Sequence, residues 1–352
     1  MGKFKWANTN LDLEKYGNGT GAILKVDLKY PKSLHDAHND YPLAPEQIVA
    51  KKSMLSDYCK DISEKLKIKS GKFKKLIPNL QDKKEYVVHY KNLKQYLDLG
   101  MVVTKVHKVL EFEEKAWMEP YIRSNTERRK LAKNDFEKNF FKLMNNSVFG
   151  KTMENLRKRV NIKIVSDPEK FKKLASRPTY ISSKVFSKGT NAEIVAMHMV
   201  KEKLLLNRPI YVGMSILELS KTVMYDFHYN YIRSKYGDNA KLLFTDTDSL
   251  TYHIKTKDMY KDFWENKDMF DFSDYPKDSK YYDATNKKVL GKFKDEAAGE
   301  IITEFVGLRS KMYSYKKITG KSSQTAKGIV RSVREKELNH ENYKDVLFGK
   351  KK

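Results

Sequence analysis

The sequence is poor in the features that mark secreted and membrane-spanning proteins. Its 352 residues include one cysteine, so the chain can form neither an internal disulfide nor a multi-thiolate metal site, and a reducing environment is expected. No apolar run approaches the roughly 20 residues of a membrane-spanning helix, and no signal peptide opens the chain. These absences favour an intracellular protein that is not secreted, although they do not specify its compartment. Binding to a membrane is not expected.

Acidic residues are scarce as well. The chain has 45 Asp and Glu against 70 Lys and Arg, which gives a net charge of +25. The excess is distributed along the chain, as is typical of a protein that binds a polyanion, whereas a surface needed only for solubility would not be so one-sided. The 22 tyrosines and 17 phenylalanines include potential stacking partners for bases, although most aromatic residues in any domain belong to cores.

The order of the expected elements predicts an α+β fold. A strand at residues 22–28 is followed by a proline-rich loop and a helix at 48–66, and strands at 86–90 and 102–112 flank a short helix. Such alternation is typical of a sheet backed by helices.

Polar residues cluster in the proline-rich loop. His35, Asp36, His38 and Asp40 have the chemistry to ligate a metal ion, but clustered polar residues between prolines more often form a hydrogen-bonded loop. The hydrogen-bonded loop is the favoured interpretation.

The first of two long helices is expected at residues 126–145. Its apolar face consists of Phe136, Phe140, Leu143 and Met144. A basic stripe follows the opposite side at intervals of four residues, through Lys138, Lys142 and Asn146. Such a stripe is usually a solvated face, and here it leads to Gly150, which can end the helix.

The second long helix is expected to begin at Ser215, whose spacing to Glu218 matches a capping box, and to end at Gly237. Residues 268–288 are then expected to form a surface excursion. Strands at 289–296 and 304–315 follow it.

The segment LLFTDTDSLTYHI, residues 242–254, places two aspartates in an apolar, β-prone stretch. Asp and Thr between two strands are ordinary turn chemistry, and that interpretation stays open. Alternatively, Asp246 and Asp248 lie on the same side of a strand connection, with Cα atoms roughly 6 to 7 Å apart, which suits Mg²⁺ and phosphoryl transfer. A calcium-binding EF-hand loop is excluded because Thr251 replaces its glycine and Lys257 replaces its final glutamate. A reverse transcriptase would have adjacent acids.

Three motifs in a fixed order resemble those of family B DNA polymerases. KLMNNSVFG at 142–150 resembles the K-x-x-x-N-S-x-Y-G motif of the fingers helix, FTDTDS at 244–249 resembles the palm motif Tyr-x-Asp-Thr-Asp-Ser, and KMY at 311–313 resembles the K-x-Y motif. The sequence around these motifs is similar to that of the protein-primed branch, which includes polymerases of linear plasmids, viruses and Polinton-type transposons. The resemblance covers roughly residues 20–335.

This resemblance implies a right-hand polymerase fold: a mainly antiparallel palm sheet backed by helices, an α-helical fingers pair and a partial thumb. The implied boundaries are the palm remainder with an inserted subdomain at 1–125, the fingers at 126–160, the palm with the acidic and K-x-Y motifs at 161–330, and the start of a thumb at 331–352.

The resemblance also implies roles for individual residues. Asp246 and Asp248 would be the catalytic residues and would hold two Mg²⁺ ions, with Mn²⁺ as an alternative. The implied nucleotide-binding residues are Lys130, Lys138, Lys142, Asn146 and Phe149. The implied DNA-binding residues are Lys311, Tyr313 and Ser249. The partners would be primer-template DNA, deoxynucleoside triphosphates and a terminal-protein primer, and the reaction would be template-directed nucleotidyl transfer to a primer 3′ hydroxyl in DNA replication.

One part of the family pattern is missing. Family B polymerases take a metal-binding aspartate from a motif resembling D-x-x-S-L-Y-P, and no such string occurs here. The string DLKYP, which begins at Asp27, is two residues shorter, so Asp27 is interpreted as a decoy. Phe149, Phe244 and Thr245 also depart from the motifs, but they preserve the ring or the strand. The chain is therefore expected to begin after the first catalytic aspartate, without an exonuclease domain, and to have very weak or no activity alone.

Two other functions stay open at this point. A non-catalytic DNA-binding remnant of a transposon or viral polymerase would bind DNA in a salt-sensitive way that survives Asp246→Ala. The other alternative is a globular protein whose basic face binds an acidic partner. Tight DNA binding that does not depend on base sequence would argue against it.

Overall fold

A computed structural model describes residues 1–68, 71, 73–186 and 194–351. The strands are β1 Gly2–Ala7, β2 Thr20–Lys29, β3 Glu46–Val49, β4 Lys74–Ile77, β5 Lys83–His89, β6 Val102–Glu113, β7 Asn161–Val165, β8 Tyr180–Val185, β9 Val195–Met199, β10 Ala240–Thr245, β11 Leu250–Ile254, β12 Ile302–Arg309, β13 Met312–Lys317 and β14 Ser322–Ala326. The α-helices are α1 His35–His38, α2 Asp57–Lys65, α3 Tyr90–Asp98, α4 Glu119–Leu131, α5 Asp135–Thr152, α6 Pro168–Ala175, α7 Ile210–Asp226, α8 Ser234–Tyr236, α9 Met259–Glu265, α10 Arg331–Glu337 and α11 His340–Leu347.

The largest sheet has four antiparallel strands in the order β1, β6, β2, β5. Alternate residues of β2 point into the main core, because side chains along a strand alternate between its two faces. These buried residues are Ala22, Leu24, Val26 and Leu28. Helix α3 contributes Leu93 and Tyr96 to the same core. The expected strands at 22–28, 86–90 and 102–112 and the helix between the last two are confirmed, and so is the α+β fold class.

Of the helix expected at 48–66, Asp57–Lys65 is α-helical, and Lys52–Met54 forms a separate 3-10 turn. Residues Glu46–Val49 pair with β4 instead, and α2 begins after Ser56, whose hydroxyl accepts a hydrogen bond from the Cys59 amide at 3.2 Å. This N-cap marks the true start of the helix. The prediction was wrong because the pairing partner of the short strand lies far along the chain, where local periodicity carries no information about it.

The helix expected at 126–145 is two helices, α4 and α5. Asn134 accepts a hydrogen bond from the Glu137 amide at 2.9 Å, and the Glu137 carboxylate accepts one from the Lys133 amide at 2.9 Å. Asn134 thus caps the start of a new helix, while Glu137 holds the amide that precedes the cap, and the Asn-x-x-Glu spacing was a signal in the sequence. The apolar face of α5 is exposed, since Phe136 is 77% and Leu143 is 62% exposed.

The second long helix begins at Ile210 instead of Ser215. Pro209 precedes it, in keeping with the preference for proline where the first amides have no partner. Ser215 and Glu218 are buried inside α7, so they form no capping box. The helix continues through a π-helical segment, Phe227–Arg233, and α8, and the expected end at Gly237 is confirmed by its φ of +53°.

The segment at 268–288 contributes a second core and is more than a surface excursion. Phe270, Phe272 and Tyr275 are buried in one cluster with Phe227 of the π-helical segment. Aromatic side chains bury large areas, so this cluster fixes the segment against the long helix.

Two strand predictions after this segment need correction. Residues 289–296 form turns, with a bridge between Phe270 and Phe293. Residues 304–315 form a hairpin of β12 and β13, because Lys311 adopts a φ of +56° and reverses the chain. Helix α11 packs on this sheet, where the buried His340 Nδ1 and the Ser314 hydroxyl lie 2.9 Å apart.

The chain divides into two compact units, residues 1–138 with 217–352, and residues 139–216. The second unit contains an antiparallel sheet in the order β7, β9, β8. Its core joins Leu174 of α6 to Val165, Met197 and Met199 of the sheet. Within the described ranges, no helix is both long enough and apolar enough to span a membrane.

Candidate active site at the acidic hairpin

The two aspartates lie in the connection of an antiparallel hairpin formed by β10 and β11. The Asp246 amide donates to the Ser249 carbonyl at 3.0 Å, and the Ser249 amide donates back to the Asp246 carbonyl at 3.2 Å. The Asp248 amide also donates to the Asp246 carbonyl, at 2.6 Å. Asp246 and Asp248 are therefore presented by one tight, hydrogen-bonded turn, and the two expected strands are confirmed.

Thr247, between the two acids, has a φ of +58°. A β-branched residue is an outlier in this left-handed region, because its side chain collides with the backbone. Such a conformation costs about 1 to 3 kcal/mol and persists only where the surrounding structure imposes it. The sequence carried no signal for this strain, since the turn contains neither glycine nor asparagine.

Lys311 joins the acidic turn to the K-x-Y hairpin. Its Nζ lies 2.9 Å from Asp246 Oδ1 and 3.0 Å from Oδ2. The hydrogen bond to Asp246 raises the pKa of Lys311, and the charges of Asp246 and Asp248 raise it further. The sequence placed Lys311 on a strand, whereas it occupies the turn before β13, and this left-handed turn directs the ammonium group to the carboxylate.

Tyr313 lies on β13 and packs its ring against Phe244, with centroids 4.4 Å apart. Phe244 is the residue that replaces tyrosine in the acidic motif, and Phe305 of β12 contacts both rings. The acidic hairpin and the β12–β13 hairpin are thus held together by an aromatic contact and an ion pair, both formed by motif residues.

The donor chemistry of the turn suits a hard divalent cation. Mg²⁺ prefers carboxylate oxygens and is commonly held by one or two carboxylates together with substrate phosphates. Asp246 and Asp248 provide such a pair. Among the described residues, no group of three or more His, Cys, Asp or Glu side chains is placed to hold a metal ion, so no third protein ligand stands beside the pair there.

Asp27 is committed to other contacts. Its Oδ1 accepts a hydrogen bond from the Glu85 amide at 2.7 Å and lies 2.8 Å from His107 Nε2, while Lys84 Nζ lies 3.3 Å from Oδ2. These contacts, the Glu85 amide above all, hold the pKa of Asp27 well below its usual range. The Asp27 carboxylate therefore links β2 to its two neighbouring strands, β5 and β6.

The polar loop after β2 is hydrogen-bonded, as favoured above. His38 Nδ1 and the Tyr30 hydroxyl lie 2.9 Å apart, and Asp40 accepts a hydrogen bond from the Leu242 amide at 3.1 Å. The link from Asp40 to the acidic hairpin was missed from the sequence, because 202 positions separate the two residues.

The lysines implied in nucleotide binding lie on two helices. On α4, Lys130 pairs with Glu127 at 3.4 Å, and at the start of α5 Lys138 pairs with Asp135 at 3.0 Å. Further along α5, in the second compact unit, Lys142 is exposed. Asn146 is also exposed, and Phe149 is partly buried. The four-residue spacing places the basic side chains along one side of α5, as expected.

The profile of one protein family, described as DNA polymerase type B, organellar and viral, matches residues 24–234. The match covers more than half of the chain, and the chain belongs to this family. Membership confirms the resemblance of the chain to family B polymerases, including the protein-primed branch. Of the three motifs, the one at 142–150 lies within the matched residues. No curated protein matches the chain.

Two solved structures have the same fold. Phi29 DNA polymerase complexed with primer-template DNA and incoming nucleotide substrates is similar with a TM-score of 0.55 and 15% identity, over 97% of this chain and 48% of that one. Phi29 DNA polymerase complexed with primer-template DNA, in a post-translocation binary complex, is similar with a TM-score of 0.53 and 13% identity, over 97% and 49%. The chain therefore has the fold of part of a family B polymerase and spans about half the length of these relatives.

Proposed function

We propose that this chain carries the palm and fingers of a DNA-directed DNA polymerase, which transfers nucleotides to a primer 3′ hydroxyl on a DNA template. The observation that carries the proposal is the contact between two motifs 65 residues apart, in which Lys311 reaches the carboxylate of Asp246 at 2.9 Å. Phosphoryl transfer needs carboxylates to hold cations and a cation to contact phosphate, and here Lys311 and Asp246 are in direct contact.

Asp246 and Asp248 are the residues proposed to hold two Mg²⁺ ions, or Mn²⁺ in their place. When bound there, the ions would supply charge stabilisation for the attacking and the leaving oxygens. Lys311 already offsets part of the carboxylate charge, so the turn is arranged to exchange a protein cation for a metal ion. The tight turn fixes the relative placement of the two acids, which metal coordination requires.

The remaining motif residues are proposed to bind substrates. Lys130, Lys138 and Lys142 would contact the triphosphate, because charge-assisted hydrogen bonds to phosphate are strong, and Asn146 and Phe149 would border the base and sugar. Lys311 and Tyr313 would contact the primer terminus. Ser249 closes the acidic turn and would contact DNA from that position. A terminal protein as primer, and an origin in a transposon or virus, are part of the same proposal.

We propose that synthesis by this chain alone is very weak or absent. The described residues hold no third carboxylate beside the pair, and Asp27 is bound to the Glu85 amide and His107. A two-ion site short of one ligand cannot hold both ions in a productive geometry.

Primer extension and direct metal binding together test the proposal. We expect Mn²⁺ to bind the wild-type chain and to bind at least tenfold more weakly after Asp248→Asn, as measured by electron paramagnetic resonance. Asp61→Asn, the same chemical change on an exposed part of α2, should leave Mn²⁺ binding unchanged. Equal Mn²⁺ binding by the wild type and Asp248→Asn would refute the proposed metal site, and robust Mg²⁺-dependent extension would refute the proposed weakness.

A non-catalytic DNA-binding protein is the second candidate, favoured by the net charge of +25 and by the missing third ligand. Both candidates predict DNA binding that weakens by roughly 10³-fold or more between 50 and 200 mM salt if six or more phosphates are contacted. The variant Asp246→Ala separates the two candidates. A DNA-binding protein without a metal site keeps its DNA affinity in this variant at every Mn²⁺ concentration. The polymerase has Mn²⁺-dependent nucleotide binding, and Asp246→Ala abolishes it.

A further inference from the structure

The first strand of the acidic hairpin is irregular at Leu243, three residues before Asp246. Leu242 lies opposite Tyr252 and Phe244 lies opposite Thr251, so Leu243 has no partner of its own in β11. A bulge of this kind bends the strand and re-aims the residues beyond it, and bulges are frequent beside active sites. The placement of Asp246 therefore depends on how the backbone is held at Leu242.

Asp40 holds that backbone from outside the hairpin. Its Oδ2 accepts a hydrogen bond from the Leu242 amide at 3.1 Å, and its Oδ1 pairs with Lys241. In the described structure β10 belongs to a two-stranded sheet, with β11 as its neighbour. The Asp40 carboxylate thus takes the place of a second neighbouring strand at the bulge. Its side chain is only 11% exposed.

The loop that carries Asp40 is itself fixed to the long helix. The Tyr229 hydroxyl donates to the Tyr41 carbonyl at 2.7 Å, and the Tyr225 hydroxyl donates to the Pro42 carbonyl at 3.2 Å. The rings of Tyr41 and Tyr225 are in contact, with centroids 4.7 Å apart. Because the neighbouring backbone is anchored to buried side chains, Asp40 is a rigid support.

The second strand of the hairpin is held by the same helix. His228, in the π-helical segment, has its Nδ1 2.9 Å from the Tyr252 hydroxyl, and the two rings are stacked. Tyr252 lies opposite Leu242 in the hairpin. Asp40 and His228 therefore fix the two strands at the same residue pair, Leu242 and Tyr252. The acidic turn lies beyond this pair.

We propose that Asp40 is a positioning residue for the metal-binding acids: by accepting the Leu242 hydrogen bond at the bulge, it sets where Asp246 and Asp248 stand. This inference rests on the proposed metal site. A displacement of about 1 Å can cost a factor of about 100 in a reaction that depends on placement. A residue that only stabilised the loop would change the stability of the chain and leave the affinity of the acids for cations unchanged.

Four variants separate these roles. Asp40→Ala removes the acceptor, whereas Asp40→Asn keeps one oxygen for the Leu242 amide and loses the charge and the ion pair with Lys241. Asp40→Glu keeps the charge but adds a methylene, and it replaces Asp40→Ala if that variant fails to fold. Asp36→Ala is the matched control, because Asp36 is an exposed aspartate of the short helix α1 that precedes Asp40.

Mn²⁺ binding and amide hydrogen exchange are measured on each variant. We expect Asp40→Ala, or Asp40→Glu in its place, to weaken Mn²⁺ binding at least tenfold and to speed exchange across residues 241–250. Asp40→Asn should stay within about threefold of the wild type in Mn²⁺ affinity, because its oxygen still accepts the Leu242 hydrogen bond. Asp36→Ala should match the wild type in both measurements.

The outcomes distinguish this inference from the function on which it rests. If a folded Asp40→Ala chain binds Mn²⁺ as the wild type does, with unchanged exchange in the hairpin, the positioning role is overturned. If Mn²⁺ fails to bind the wild type, the proposed metal site is overturned, and hydrogen exchange alone decides whether Asp40 holds the hairpin.

Discussion

Replacing Lys311 with methionine should tighten the binding of Mn²⁺ to the free chain while weakening the binding of primer-template DNA. Lys311 Nζ lies 2.9 Å from Asp246 Oδ1, so the ammonium group competes with a metal ion for the same oxygen. Methionine keeps much of the length of the side chain and removes its charge. The two effects have opposite signs because the positive charge of Lys311 repels the metal ion in the free chain but would attract the phosphate groups of a bound substrate.

The magnitude follows from the geometry and exposure of the pair. Two unit charges about 3 Å apart in water attract each other by about 1.4 kcal/mol. The side chain of Lys311 is 46% exposed and that of Asp246 is 25% exposed, so water and salt screen the pair, and we discount the attraction to about 1 kcal/mol. This corresponds to roughly fivefold tighter Mn²⁺ binding in Lys311→Met.

The assay is an Mn²⁺ titration followed by electron paramagnetic resonance at low and high salt. Lys316→Met is the matched control, because Lys316 lies on β13, is 41% exposed and pairs with Glu304 at 3.6 Å instead. The gain in Lys311→Met should shrink at high salt, since added ions screen exposed charges. Unchanged or weaker Mn²⁺ binding in Lys311→Met at low salt would refute the reasoning.

Three further predictions concern strain, acid stability and the decoy aspartate. Thr247→Gly should raise the free energy of unfolding by about 0.5 to 1 kcal/mol, because glycine accepts the positive φ of the turn; urea unfolding measures this, and a less stable variant would argue against strain. His38, His89 and His228 are buried, and burial above all lowers the pKa of each from 6.5 to about 4. Between pH 6.5 and 4 these histidines are protonated in the unfolded chain but not in the folded chain. The free energy of unfolding should therefore fall as the pH drops from about 6.5 to 4, by up to about 3 kcal/mol for each histidine. Urea unfolding at several pH values checks this, and His89→Gln should remove about a third of the decrease. Asp27→Asn should lower the melting temperature but leave Mn²⁺ affinity unchanged, and weaker Mn²⁺ binding in a folded Asp27→Asn chain would make Asp27 a ligand.

Much of the fold was accessible from local patterns, and the failures have a common physical origin. The strand at 22–28 could be identified because alternating burial leaves a period of two in the sequence. The helix expected at 48–66 failed because β3 exists only through its pairing with β4, and that pairing is a tertiary contact. The break before α5 was accessible in principle, since Asn134 and Glu137 have the spacing of a helix cap.

The motifs identified the chemistry of the site without its geometry. Asp246, Asp248 and Lys311 were found as residues of recognisable spacing, but the contact between Lys311 and Asp246 depends on a left-handed turn at Lys311. Asp40 was read as part of a polar loop, because a hydrogen bond across 202 positions leaves no trace in local composition.

The sequence by itself determined the family, the positive charge and the residues available for chemistry, because these depend on residue type and on short spacing along the chain. Tertiary structure alone decided which carboxylate meets Lys311, where Thr247 stores strain, and that Asp40 supports the bulge beside the acids. These are contacts between distant segments or backbone conformations imposed by them, so only the folded chain brings them into being.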